Sequence, residues 1–141
     1  QLDEHDPNHI KRLIEVNVVG TMYLTHAVLP FMKKKKKGRI INVVSQNGLI
    51  HKTDRSVYTA SKWALTGFTK CLSEDLVPFN VSVSGFYPGL MKTKLFEKVG
   101  AKRNIDKSMD TKEAARAIEF MVETPDDLSV SELGIKPAWI K

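Results

Sequence analysis

Early in the chain, apolar residues recur at spacings of three and four: Ile10, Leu13, Ile14, Val18, Met22, Val28, Leu29 and Met32. That period is helical, and it predicts one long amphipathic helix over residues 7–33. Asp6 supplies an N-cap and Pro7 a first-turn proline. The lysines from Lys33 to Lys37 and then Gly38 are expected to end it. The pattern next switches to a short, β-branched, nearly continuous apolar run, Arg39 to Ser45, which predicts a buried strand of a parallel sheet. Gln46 to Asp54 is polar and contains Gly48, so it reads as a loop.

A second helix is predicted from Arg55 to Leu76, with Val57, Ala60, Ala64, Leu65, Phe68 and Leu72 as its core stripe. Pro78 and Asn80 break it. Val81 to Phe86 is the next strand, closed by Pro88-Gly89. Residues 90–108 are irregular apart from a short helix expected at Lys94 to Val99, and Leu90, Met91, Leu95, Phe96 and Val99 are their apolar members. Such a stretch inside a compact domain is usually functional. Asp110 and Thr111 cap a third helix ending near Glu123, its inner face formed by Ala114, Ile118, Met121 and Val122. Thr124 to Asp127 turns, Ser129 to Ile135 is a last strand, and Pro137 lies past its end. Helices and strands alternate throughout, which predicts right-handed crossovers and a parallel α/β sheet in a single domain.

Composition adds limits. The 141 residues, 42% hydrophobic and 27% charged, suffice for one folded domain. A single cysteine, Cys71, excludes an internal disulfide and suits a reducing, cytoplasmic setting. His5, His9, His26 and His51 lack partners at ligand spacing, so no metal site is expected, and His5 and His9 read as a surface pair at a helix start. The net charge of +6 is concentrated in Lys33 to Lys37, where cations complement a helix C-terminus. That lone run, without interleaved aromatics, argues against nucleic acid as a partner. No apolar stretch is long enough to span a membrane.

Candidate chemistry centres on Tyr58 and Lys62. Four residues apart on a helix, they share a face one turn from each other. An ammonium beside a phenol favours the phenolate, and a proton carrier works best with a pKa near operating pH. The pair is a sensible proton donor to a carbonyl oxygen receiving a hydride. Ser45 ends a strand thirteen residues earlier, and the carboxyl ends of parallel strands carry the site in such sheets. Pro88-Gly89 closes the adjacent strand at the same edge. Asn17 sits among apolar neighbours, where an amide needs partners.

Together these segments resemble the short-chain dehydrogenase/reductase family over essentially the whole chain. Its Tyr-x-x-x-Lys motif is similar to Tyr58-Thr-Ala-Ser-Lys62, and its serine strand to Gly38-Arg-Ile-Ile-Asn-Val-Val-Ser45. Its helix asparagine is matched by Asn17 in Val16-Asn-Val-Val-Gly20, and its Pro-Gly-x-x-x-Thr by Pro88-Gly-Leu-Met-Lys-Thr93. The resemblance implies a partial Rossmann-like doubly wound sheet, the C-terminal catalytic half, with about three strands and three main helices. It implies hydride exchange between NAD or NADP and a ketone or secondary alcohol. Tyr58 would move the proton, and Lys62 would tune it and bind the nicotinamide ribose. Ser45 would hold the substrate oxygen, and Asn17 a water linking Lys62 to solvent. Pro88, Gly89 and Thr93 would line the nicotinamide pocket, and residues 90–108 would close over a partly hydrophobic small-molecule substrate. Homo-dimers or homo-tetramers through helices 7–33 and 55–76 are also implied, with Trp63 facing away from the core.

Two departures qualify the match. The Gly-rich turn that seats a pyrophosphate is absent, as is the residue that separates NAD from NADP; both are expected before Gln1, where the chain looks cut. Tyr87 stands where the family often has a smaller or amide residue. The competing reading is a non-catalytic fragment or pseudoenzyme serving as a dimerisation scaffold.

Overall fold

A computed structural model describes residues 2–94 and 107–138. After a 3-10 turn, α1 (Pro7–Ile14) runs through a π-helical segment (Glu15–Val19) into α2 (Gly20–Lys35). Strand β1 (Gly38–Val43) leads by way of a 3-10 turn (Gln46–Gly48) to α3 (Ser56–Leu76). Strand β2 (Val81–Pro88), helix α4 (Thr111–Glu123) and strand β3 (Glu132–Ile135) complete the order. The three strands form one parallel sheet in the order β1-β2-β3, with Gly38 opposite Val81 and Gly85 opposite Glu132. Among the described residues, β1 is paired on one side only.

Period-two alternation along β2 divides the core between the two faces of the sheet. On one face Val81 and Val83 join Leu72 and Leu76 of α3, with Leu29 and Met32 of α2 and Ile40 of β1 packed against them. Farther along that face, Tyr87 packs with Val44 and Leu65. On the other face Phe86 meets Ala114 and Met121 of α4, backed by Ile41, Ile118 and Leu133. The result is a helix–sheet–helix sandwich whose strands all point their carboxyl ends one way.

Both expected N-caps form: Asp6 accepts from the Asn8 amide at 2.9 Å and Asp110 from the Lys112 amide at 2.8 Å. The far end of α4 is closed from β1. The Arg39 guanidinium donates to the carbonyls of Met121, Thr124 and Pro125 at 2.6, 2.8 and 3.1 Å. A cation on orphan C-terminal carbonyls satisfies them and complements the helix dipole.

Several expectations are corrected. The first helix is interrupted by the π turn, in which the Gly20 amide bonds the Glu15 carbonyl five residues back. Ala60 and Ala64 are exposed; Ser61, Thr66 and Thr69 occupy the inner face of α3. Val122 is exposed on the outer side of α4. The first strand stops at Val43, before Ser45, and the last begins at Glu132. The helix expected at Lys94 to Val99 lies mostly outside the described residues.

Lys36, not Gly38, takes the left-handed position at the end of α2, with φ 47°. A side chain in that region is strained, and glycine is not. Its carbonyl accepts from Asn80 Nδ2 at 3.1 Å, a bond independent of the side chain. Lys36→Gly is therefore expected to stabilise the fold by about 0.5–1 kcal/mol, read as a raised urea midpoint with an unchanged slope.

Candidate active site

The candidate residues are delivered by several elements: the π turn carries Asn17, α3 carries Tyr58 and Lys62, and the ends of β1 and β2 lead into Ser45 and into Pro88 and Gly89. The π turn puts Asn17 against α3: its Nδ2 donates to Ser61 Oγ at 3.1 Å, and Ser61 Oγ donates to the Tyr58 carbonyl at 2.7 Å. The Asn17 carbonyl accepts from the Thr21 hydroxyl at 2.9 Å. π turns of this kind concentrate at functional sites because the extra residue re-aims the chain locally. Asn17 is thus fastened to the turn of α3 that carries Tyr58.

Lys62 reaches back over Tyr58, its Nζ 5.7 Å from the ring centroid. That is cation–π range, and it follows from the i,i+4 spacing on α3. Burial pushes the Lys62 ammonium below its usual pKa of 10.5. Low-dielectric surroundings disfavour the charged form.

Ser45 follows Val44, whose amide donates to the Phe86 carbonyl at 2.8 Å in the last rung between β1 and β2. Its Oγ accepts from the Asn47 amide at 3.1 Å and so caps the 3-10 turn. This turn lies tight against α3. The Gly48 carbonyl accepts from Thr66 Oγ1 at 3.0 Å, and a Cβ on Gly48 would stand 3.0 Å from the Lys62 carbonyl. Only glycine permits that approach. Ser45 and Tyr58 are not hydrogen-bonded to one another; Tyr58 lies in the first turn of α3, and the 3-10 turn that Ser45 caps is fastened to the same helix at Thr66.

Pro88 and Gly89 end β2 at this edge, and the Gly89 amide donates to the Ile135 carbonyl at 2.7 Å. Gln46, next to Ser45, donates from Nε2 to the Tyr87 carbonyl at 2.8 Å. Thr93, half-buried, lies two residues past Met91, which bridges Met109.

Tyr87 fills the space behind this turn. It is 1% exposed, and its ring leans back over Gly85, where a Cβ would fall 2.6 Å from the phenolic oxygen. The phenol donates to Glu132 Oε1 at 2.9 Å, and Lys70 Nζ stands 3.1 Å from the same oxygen. Burial first, and the Glu132 carboxylate second, push the phenol's pKa up to about 12. The Glu132 carboxyl is held below its usual value of 4.5, chiefly by the bond from Tyr87.

Sequence reasoning did not find Ser61, Gln46, Thr66 or Tyr87 as parts of this assembly. Ser61 lay inside the Tyr58-Lys62 segment, and Tyr87 was noticed only as a departure from the family. His5 and His9 stack at 6.1 Å, away from the site's hydrogen bonds. Among the described residues no helix is long and apolar enough to cross a membrane.

Comparison with known proteins places this geometry. Residues 1–104 match the family model described as short chain dehydrogenase. An oxidoreductase of Staphylococcus saprophyticus is 32% identical over 138 residues, covering 96% of this chain and 57% of its own length. Among solved structures, the closed form of a serine dehydrogenase complexed with NADP+ superposes with a TM-score of 0.92 at 23% identity, over 99% of this chain and 60% of that one. A 4-hydroxyisoleucine dehydrogenase complexed with NADH gives 0.80 at 27% identity, over 96% and 61%. The chain thus spans somewhat over half the length of the relatives it matches. With its parallel sheet and Rossmann-type neighbours, the chain belongs to the short-chain dehydrogenase family.

Proposed function

We propose that the protein containing this chain reduces a ketone, or oxidises a secondary alcohol, with NAD(P)(H), and that residues 1–141 are its C-terminal catalytic half. The observation that carries this reading is the stacking of Lys62 Nζ over Tyr58, 5.7 Å from the ring centroid, with Ser61 tying Asn17 to the same turn. In reduction, hydride comes from the dinucleotide. Tyr58 then donates its proton to the substrate oxygen, and Ser45 Oγ orients and stabilises that oxygen. Lys62, as an ammonium over the Tyr58 ring, would favour the tyrosinate and donate to the nicotinamide ribose. Asn17 holds a water that connects Lys62 to solvent.

The residues suit the nicotinamide end of the cofactor. Pro88 and Gly89 follow the Tyr87 carbonyl that Gln46 holds, Thr93 lies four residues beyond Gly89, and Lys62 supplies a donor. No Gly-rich strand-to-helix turn stands in residues 1–141 to seat the pyrophosphate, and the nicotinamide end that these residues suit is common to NAD and NADP. A small carbonyl compound is the substrate class. Homo-oligomers through α2 and α3 fit the exposed apolar side chains there: Trp63 of α3 is 51% exposed, and Phe31 and Tyr23 of α2 are 71% and 73% exposed. A cytoplasmic location suits the single cysteine, Cys71.

The direct test is to express the protein from its complete reading frame and follow NADPH and NADH absorbance with a panel of ketones. Cofactor-dependent turnover of at least one is expected; stoichiometric NADPH binding with none turned over refutes catalysis. Titrating NADH and NADPH into the isolated 141-residue chain tests the scaffold reading. That reading expects negligible binding, and micromolar affinity contradicts it.

A further inference from the structure

Past the last rung of the β1–β2 ladder, the two chains diverge. Residues 45–48 coil toward α3, while Pro88 and Gly89 turn toward β3. One side chain crosses the gap. Gln46 Nε2 donates to the Tyr87 carbonyl at 2.8 Å, and it does so beside Gly134, where a Cβ would stand only 3.1 Å from that nitrogen. The ends of β1 and β2 and the middle of β3 thus meet at a single amide. Tyr87, which takes the bond, is itself immobilised. Its phenol is held by Glu132 and its ring packs with Val44 and Leu65.

We propose that Gln46 is a positioning residue that holds Ser45 and the Pro88–Gly89 turn at a fixed separation. The substrate oxygen held by Ser45 and the nicotinamide held by the turn then meet in line for hydride transfer. The proposal rests on the roles given to Ser45 and Pro88–Gly89 under the proposed function. Its physical basis is the sensitivity of group transfer to sub-ångström alignment and the loss of a second donor from the Tyr87 carbonyl, which is also engaged in the β2–β3 ladder. Gln46 touches neither substrate nor cofactor and acts through its neighbours.

The test is Gln46→Leu, which keeps an uncharged side chain of similar bulk, one atom shorter, but removes the donor, in the protein expressed from its complete reading frame. NADPH and its 4-deuterated form are the cofactors, and 2,3-hexanedione is the carbonyl probe. The expected result is a fall in kcat of about tenfold, an NADPH Kd within about twofold, and a larger primary deuterium isotope effect on kcat. A folding defect lowers the active fraction and leaves the isotope effect unchanged. A second readout needs no turnover: backbone amide exchange at Gly48 and at Gly89 is expected to speed up together by about tenfold, because one bond restrains both turns. Gln46→Glu, whose carboxylate has no proton to offer the carbonyl at pH 8, repeats both effects. An unchanged kcat, an unchanged isotope effect or exchange that rises at neither turn overturns the proposal. Running Tyr58→Phe in parallel separates the two readings. If that variant is fully active, the proposed function fails; if it is inactive while Gln46→Leu behaves as the unmodified protein, only the positioning role fails.

Discussion

Tyr58→Phe is expected to lower kcat for carbonyl reduction by about 10³-fold while leaving the dinucleotide Kd within about twofold, since general acid catalysis contributes roughly 10²–10⁴. The change removes one oxygen and little else. What α3 needs of this residue is its backbone carbonyl, which accepts the Ser61 hydroxyl at 2.7 Å whatever the side chain. The aromatic face beneath Lys62 is also kept, so the 5.7 Å cation–π contact survives. Loss of turnover with an intact melting transition therefore isolates the proton. The measurement is steady-state kinetics with NADPH beside a dinucleotide titration and a thermal melt. Retention of most of the activity would show that another group carries the proton.

The largest expected effect on stability comes from Gly85→Ala, at about 2–3 kcal/mol of destabilisation. A Cβ at this position stands 2.6, 2.7 and 2.8 Å from the oxygen, Cε2 and Cζ of Tyr87. The ring has no room to retreat. It is 1% exposed, wedged between Val44 and Leu65, and its hydroxyl is committed to Glu132. Moving it strands a carboxylate that is also held by Lys70. Alanine recovers some backbone entropy relative to glycine, roughly 0.5–1 kcal/mol, which offsets only part of the clash. The same substitution in a Tyr87→Ala background is expected to cost less than about 1 kcal/mol, because the obstructing ring is gone. Urea unfolding of the four proteins in that cycle measures the coupling. Equal costs in both backgrounds would show that the ring and Gly85 do not compete for this space.

This pairing also explains how a residue as large as Tyr87 fits at the end of β2. A large side chain at the end of β2 is accommodated because Gly85, two residues earlier on the same face, leaves a slot for it. Neither residue is informative alone. In sequence they are simply a glycine inside a strand and an aromatic before a proline.

Much of the fold follows from local rules that need no tertiary knowledge. Asp6 and Asp110 cap helices because a side-chain oxygen near a free helical amide bonds it wherever it occurs. Tyr58 and Lys62 meet because helical geometry brings i and i+4 together in any surroundings. The element order and the parallel sheet come from the hydrophobic period. The polar interior was decided otherwise. Ala60 and Ala64 suited a core stripe by hydropathy, yet Ser61 and Thr69 are buried instead, since Asn17 and Asn42 on other elements supply their hydrogen-bond partners. The reach of Gln46 to Tyr87, 41 residues on, likewise exists only once the strands are side by side. A hydroxyl or amide is welcome in a core according to what stands opposite it, and that partner lies tens of residues away in the chain, beyond the reach of any local pattern.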